Sequence, residues 1–274
     1  MVAPVALRVN PGVDAKTHPS ISTGLKNNKF GVSEEKAFEL YQMMNDTPCL
    51  KVSGIDCHIG SQMTSTEPII EATQKLVALY RKLETVGIRV DHIDIGGGLG
   101  VTYDNETPPS PDEYLNPILK MLEGIDAALY IEPGRAMIAN ACVLLSKVLY
   151  QKDNGDKHFV ITDTAMNDLI RPALYGAYMN IVNAHIHEGI PNRKCDVVGP
   201  VCESDDFLGK DRSLKVLNND ILVVRGAGAY GSSMSSNYNT RRLAAEVMVD
   251  GDAEVMIRRR QEYEDIWKDE IIPE

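Results

Sequence analysis

The sequence lacks any excess of basic charge. Lys and Arg number 28 against 39 Asp and Glu, for a formal net charge of −11. That balance excludes nucleic acid or an anionic membrane surface as the main partner. No apolar run approaches the roughly 20 residues that span a bilayer, and the N-terminus has no basic stretch leading into an apolar one. Cysteine is sparse: Cys49, Cys57, Cys142, Cys195 and Cys202 are scattered and form no CxxC pair. An odd, dispersed set points to free thiols in a reducing cytoplasm. No HExxH is present, and His185 and His187 have no obvious third ligand, so no metal is expected. What the chain does have is length, 274 residues, and 43% hydrophobic content. These suffice for one or two domains with a real core.

The first half alternates. Val5 to Val9 is a short aliphatic run ending at Asn10-Pro11-Gly12, and the polar stretch up to Phe30-Gly31 is long enough to suggest a functional loop. Ser33-Glu34-Glu35 opens a helix with Ser33 as N-cap. Lys51 to Ile59 reads as a strand, Glu67 to Val86 as a helix ended by Gly87, and Val90 to Ile95 as a buried strand. Asp112 to Leu122 is a third helix and Ala127 to Ile131 a fourth strand. Such alternation implies a parallel sheet. Beyond Ala141 the pattern becomes strands and hairpins, with turns at Asp153 to Asp156 and Asp250 to Asp252. The expectation is therefore α/β plus all-β: an α/β domain over 1–140 and an all-β domain over 141–274.

Chemistry gathers just after the strands. Gly96-Gly97-Gly98-Leu99-Gly100 follows the third, either as a tight turn or as bare amides held near an anion. His58 ends the second strand, as a core histidine or as a flat partner for a ring. Glu132 and Arg135 end the fourth, as an ion pair or as a site for a ligand with a cationic ring nitrogen and an anion. Cys202 sits beside Glu203, Asp205 and Asp206. A thiol among carboxylates is a poor nucleophile but a usable proton donor, because negative charge disfavours the thiolate. Gly226 to Gly231 matches GxGxxG, but the serine-rich stretch after it is a poor helix start, so a Rossmann oxidoreductase is the weaker reading.

Six segments, in order over nearly the whole chain, resemble the diaminopimelate decarboxylases: HIGSQ (58–62), GGGLG (96–100), EPGR (132–135), MNDLIRPALYGA (166–177), GPVCESDDFLG (199–209) and GAYGSSMSSNYN (228–239). The resemblance implies a (β/α)8 barrel of alanine-racemase type, a sandwich- or barrel-like β domain and pyridoxal phosphate as cofactor. It implies that Gly97, Gly98, Ser61, Gly134 and Tyr230 bind the phosphate, that His58 stacks on the pyridine ring, and that Glu132 pairs with the ring nitrogen. Arg135, Arg171 and Tyr175 hold a substrate carboxylate, Glu203 the distal ammonium, and Cys202 delivers the proton after decarboxylation. The segment with Cys202 and Glu203 reaches a partner's site, which implies a head-to-tail homodimer. The implied reaction takes meso-diaminopimelate to L-lysine and carbon dioxide. Other readings in the same fold are a decarboxylase of another basic amino acid, or an inactive fragment or split subunit. The family's cofactor lysine has no matching motif here: Lys29 stands in an NKFG setting and Lys51 opens its strand. The chain is expected to supply only the last four barrel strands.

Overall fold

The structure is a computed structural model that describes residues 1–15, 17, 23–24 and 29–273. Most of the polar stretch suggested as a functional loop lies outside them. The chain divides into two compact units, Met1–Ile138 and Ala139–Glu274.

The first unit carries a parallel sheet in the order β1-β2-β3-β4, with β1 Ala3–Arg8, β2 Leu50–Asp56, β3 His92–Asp94 and β4 Ala128–Tyr130. Helices connect successive strands: α1 Glu34–Asn45, α2 Glu67–Thr85 and α3 Pro111–Met121. Their starts follow local chemistry. The Ser33 hydroxyl accepts from the Lys36 amide at 3.2 Å. Ser110 and Glu113 form a reciprocal capping box. The apolar stripe of α2, with Leu76, Leu79 and Leu83, is buried with Ile55 and Ile93 of the sheet. The Tyr41 hydroxyl of α1 donates to the Gly54 carbonyl at 2.7 Å. The strand read from Val90 to Ile95 shortens to His92–Asp94, yet Asp91 and Ile95 still donate to Ser53 and Tyr130 carbonyls. The fourth strand is not buried: β4 pairs only with β3, leaving Ala128 and Tyr130 exposed.

Register sets the site. Arg8 pairs with Asp56, Asp56 with Asp94, and Asp94 with Tyr130. The last residues of all four strands are thus level, and every loop that follows starts from one rim. A short helix, α4 Gly134–Ile138, opens directly after the fourth loop.

The second unit is mostly β. A six-stranded mixed sheet runs β7-β10-β5-β6-β8-β9, and β11 and β12 form a separate hairpin. The strands are β5 Val143–Asn154, β6 Lys157–Thr162, β7 Ile181–Asn183, β8 Arg193–Val198, β9 Phe207–Leu214, β10 Ile221–Arg225, β11 Glu246–Asp250 and β12 Ala253–Arg258. It is not purely β. A proline-led turn of helix, α5 Arg171–Tyr175, ends at left-handed Gly176, and α6 covers Glu264–Trp267. A helix as short as α5 carries no periodicity for a sequence pattern to show, whereas the charged tail around Trp267 reads as a short helix and is one. The GxGxxG stretch follows β10, whose neighbours β5 and β7 are both antiparallel, and leads into a 3₁₀ turn at Ser232–Met234. No βαβ unit surrounds it, so it is not a dinucleotide fingerprint.

Candidate active site

In the first unit the rim is acidic. Burial, then the neighbouring Asp94 charge, pushes the Asp56 carboxyl up to about 6, with Glu132 adding to the effect and Arg8 opposing it. Asp56 Oδ1 is buried without a hydrogen-bond partner among the described residues. Burial also pushes the adjacent Cys57 thiol up, reinforced by Asp56 and Asp94. Cys57 is thus an inert core thiol.

His58 faces the glycine loop. Its Nδ1 accepts the Gly97 amide N–H at 3.2 Å. An acceptor nitrogen carries no proton, so the ring is neutral. Its pKa is lowered, chiefly by burial and then by Arg8. The glycines are demanded by close packing. A Cβ on Gly97 would lie 2.1 Å from the Glu132 carbonyl oxygen, and Gly98 has φ +115°. Three amides of the segment are committed within the chain, Gly96 to Asp94 Oδ1, Gly97 to His58 and Gly100 to the Met63 carbonyl.

Arg135 is buried at the start of α4. Its guanidinium donates to Ser61 Oγ at 3.2 and 3.0 Å and to the Tyr103 hydroxyl at 2.7 Å. Four sequence candidates, His58, Ser61, Gly97 and Arg135, thus share one hydrogen-bonded set of loops. Gln62 at φ +65° fastens this set. Its amide donates to the Val101 carbonyl at 2.6 Å and accepts from the Val101 N–H at 3.1 Å. Glu132 is exposed at the same rim, its N–H bonded to Gly96. Gly134 opens α4, with open space where a Cβ would stand.

In the second unit, three motifs distant in sequence are tied together. Asp206 accepts the Met166 and Val201 amides, both at 2.7 Å. Burial raises its carboxyl while these bonds oppose the rise. Asn167 donates to the Ser236 carbonyl at 3.2 Å and accepts from Arg241 Nε at 2.7 Å. Cys202 and Glu203 are exposed on the loop that Asp206 braces. Arg171 is buried at the start of α5, in contact with Met179 Sδ, and Tyr175 ends the same helix. Tyr230 is exposed at φ +58°. His187 is tied to Asp220 at 2.7 Å.

Sequence reasoning missed Asp56, Gln62, Tyr103, Asn167 and Asn239. Each is one polar residue with no periodicity. Gln62, Asn167 and Asn239 lie inside the HIGSQ, MNDLIRPALYGA and GAYGSSMSSNYN segments, and Asp56 and Tyr103 lie just outside HIGSQ and GGGLG.

Residues 2–139 match the family model described as "Pyridoxal-dependent decarboxylase, pyridoxal binding domain". Diaminopimelate decarboxylase of Haemophilus influenzae is 53% identical over 269 residues, covering 97% of this chain and 64% of that protein. That of Vibrio cholerae is 52% identical over 274 residues, 99% of this chain and 66% of the relative. The chain therefore spans a little under two thirds of the length of these curated relatives. The crystal structure of diaminopimelate decarboxylase from Helicobacter pylori complexed with L-lysine superposes with a TM-score of 0.94 at 43% identity, covering 98% of this chain and 67% of that one. With one family model over the first unit and full-span relatives of one name, the chain belongs to the pyridoxal-dependent decarboxylases, in their diaminopimelate decarboxylase family.

Proposed function

We propose that the chain forms the greater part of a pyridoxal-phosphate-dependent decarboxylase that converts meso-diaminopimelate to L-lysine and carbon dioxide. The backbone agreement over 98% of the chain with a relative complexed with L-lysine carries this reading. In finer detail, β1 to β4 are the last four βα strands of an eight-stranded barrel, within residues 1–140. Residues 141–274 form a β domain of sandwich or barrel-like kind.

The residues at the rim suit the cofactor. Asp56 Oδ1 is an orphaned buried oxygen beside two further carboxylates, an acidic excess that favours a group with a cationic ring nitrogen. When bound, that ring draws electron density from the substrate carbon that loses its carboxyl group. Glu132 would pair with the ring nitrogen and keep it protonated. His58, neutral by burial, offers a flat face to the ring. The loop of Gly97 and Gly98 would hold the phosphate, helped by Ser61, Gly134 and Tyr230. Gly97 lets the loop close on Glu132.

Arg135, Arg171 and Tyr175 hold the substrate's distant carboxylate, a task suited to bidentate guanidinium. Glu203 takes the distal ammonium. Cys202 delivers its thiol proton to the carbon left after carbon dioxide departs. Its loop serves the site of a second protomer, in a head-to-tail homodimer.

The loops after β2, β3 and β4 contain no lysine. Lys51 starts β2 at the opposite rim, bonded to Asp91 at 2.7 Å, and Lys29 packs on the Phe30 ring. The family's lysine motif has no match in this sequence, so on this reading the cofactor's lysine anchor comes from further polypeptide. The test measures carbon dioxide release from meso-diaminopimelate with added cofactor, for the chain alone and for the chain mixed with the remaining third of a relative. Release only in the mixture is expected. Release from ornithine or arginine instead would assign another basic substrate, and none from any mixture would leave a non-catalytic remnant.

A further inference from the structure

Within the second unit, the Asn239 carboxamide donates to Cys202 Sγ at 3.5 Å. We propose that Asn239 is a positioning residue for the Cys202 thiol, holding its sulfur in place and favouring the thiolate that remains once the proton has left. This inference rests on the decarboxylase reading for the proton's destination, though not for the contact itself.

The backbone around Asn239 is arranged for the purpose. Asn239 and Thr240 both lie in the left-handed region, at φ +54° and +55°. Asparagine tolerates that region, whereas a β-branched threonine is strained there. Strain of this kind persists only where the surroundings over-determine it. Here they do. Asn237 Nδ2 donates to the Arg241 carbonyl at 2.8 Å and to Gln261 Oε1 at 2.5 Å. The Gln261 oxygen also accepts the Leu243 amide at 3.0 Å. Buried Asn167 clamps both ends of the turn, through the Ser236 carbonyl and Arg241 Nε.

The thiol's side is equally fixed. Asp206 accepts the Val201 amide and donates its own N–H to the Glu203 carbonyl at 3.0 Å, closing the loop that carries Cys202. Two braced turns, 37 residues apart in sequence, therefore present one amide to one sulfur.

The chemistry balances simply. In the proposed reaction the S–H bond breaks, its proton forms the new C–H bond, and the electron pair stays on sulfur. An N–H donor facing that sulfur stabilises the anion against the neighbouring Glu203 and Asp205 carboxylates. Solvent then returns the proton.

The experiment reads the thiol itself and needs no turnover. Iodoacetamide modification of Cys202 is followed at pH 8 by mass spectrometry of its peptide, which separates it from exposed Cys49 and Cys142. Asn239→Gly removes the amide while keeping the left-handed backbone. Asn239→Asp keeps the shape and replaces the donor by a carboxylate. The Gly variant is expected to react about three- to tenfold more slowly, the scale of one ordinary lost hydrogen bond. The Asp variant is expected to react more slowly still. A merely structural role would loosen the turn and speed modification in both. Unchanged or faster modification in the Gly variant overturns the assignment and leaves the decarboxylase reading standing. Failure of carbon dioxide release in the reconstituted mixture would overturn that reading without altering the thiol result.

Discussion

At the scale of single residues, Asp56 sets a pH dependence. Its carboxyl rises from an ordinary 3.8 to about 6 in the fold, mainly through burial. A raised carboxyl binds its proton more tightly folded than unfolded. Its stabilising contribution is therefore complete below pH ~4 and is lost as pH rises through about 6. Asp56→Asn is expected to match the parent at pH 4 and to exceed it at pH 8, by about 1–2 kcal/mol after allowance for partial solvent access. Thermal unfolding at the two pH values checks this. A second residue, Tyr103, accepts the Arg135 N–H at 2.7 Å. Tyr103→Phe should cost about 1.5–3 kcal/mol, the range for hydrogen bonds to charged groups, as measured by urea unfolding. The sequence showed Arg135 and Ser61 through their motifs but not Tyr103. The tyrosine stands three residues beyond the glycine segment, and nothing there signals that a guanidinium lies opposite.

At the scale of elements, helices were legible wherever a cap met a periodic stripe. Ser33, read as an N-cap, accepts from the amide three residues on, and Gly87, read as the end of α2, takes φ +76°, whereas the Ser110 cap of α3 was not read. The hairpin turns at Gly155 and Gly251 likewise sit at positive φ. Illegible elements were short and of mixed polarity. β9 reads FLGKDRSL, with charges in mid-strand, and becomes a strand only through its pairing with β8. The glycine loop was legible as special but not as to why. Sequence suggested amides bared to an anion. The structure shows that the loop packs on Glu132, two residues beyond β4, so that Gly97→Ala drives a methyl group into the Glu132 carbonyl. That variant should lose about 1–3 kcal/mol, as overpacking does. Chemical denaturation followed by far-ultraviolet circular dichroism would show it.

At the scale of the whole molecule, alternating patterns foretold a parallel sheet and then antiparallel hairpins, because each period reflects which faces are buried. The order of the six-stranded sheet was not foretold, since pairings between strands distant in sequence leave no local trace. The first sheet ends at β1 on one side and β4 on the other, with Tyr130 and Ile131 exposed. Open parallel edges invite pairing with other chains. The chain by itself is expected to associate as its concentration rises, detectable by light scattering, and the remaining third of a relative should suppress this. Loss of scattering without that addition would argue against free edges. The level strand ends carry a last consequence. Among the described residues neither border of the four-strand set is paired, so in the proposed eight-stranded barrel the further strands need no peptide link to β1. They could be supplied in trans or through a circular permutation, and the pocket would close around the same row of carboxylates.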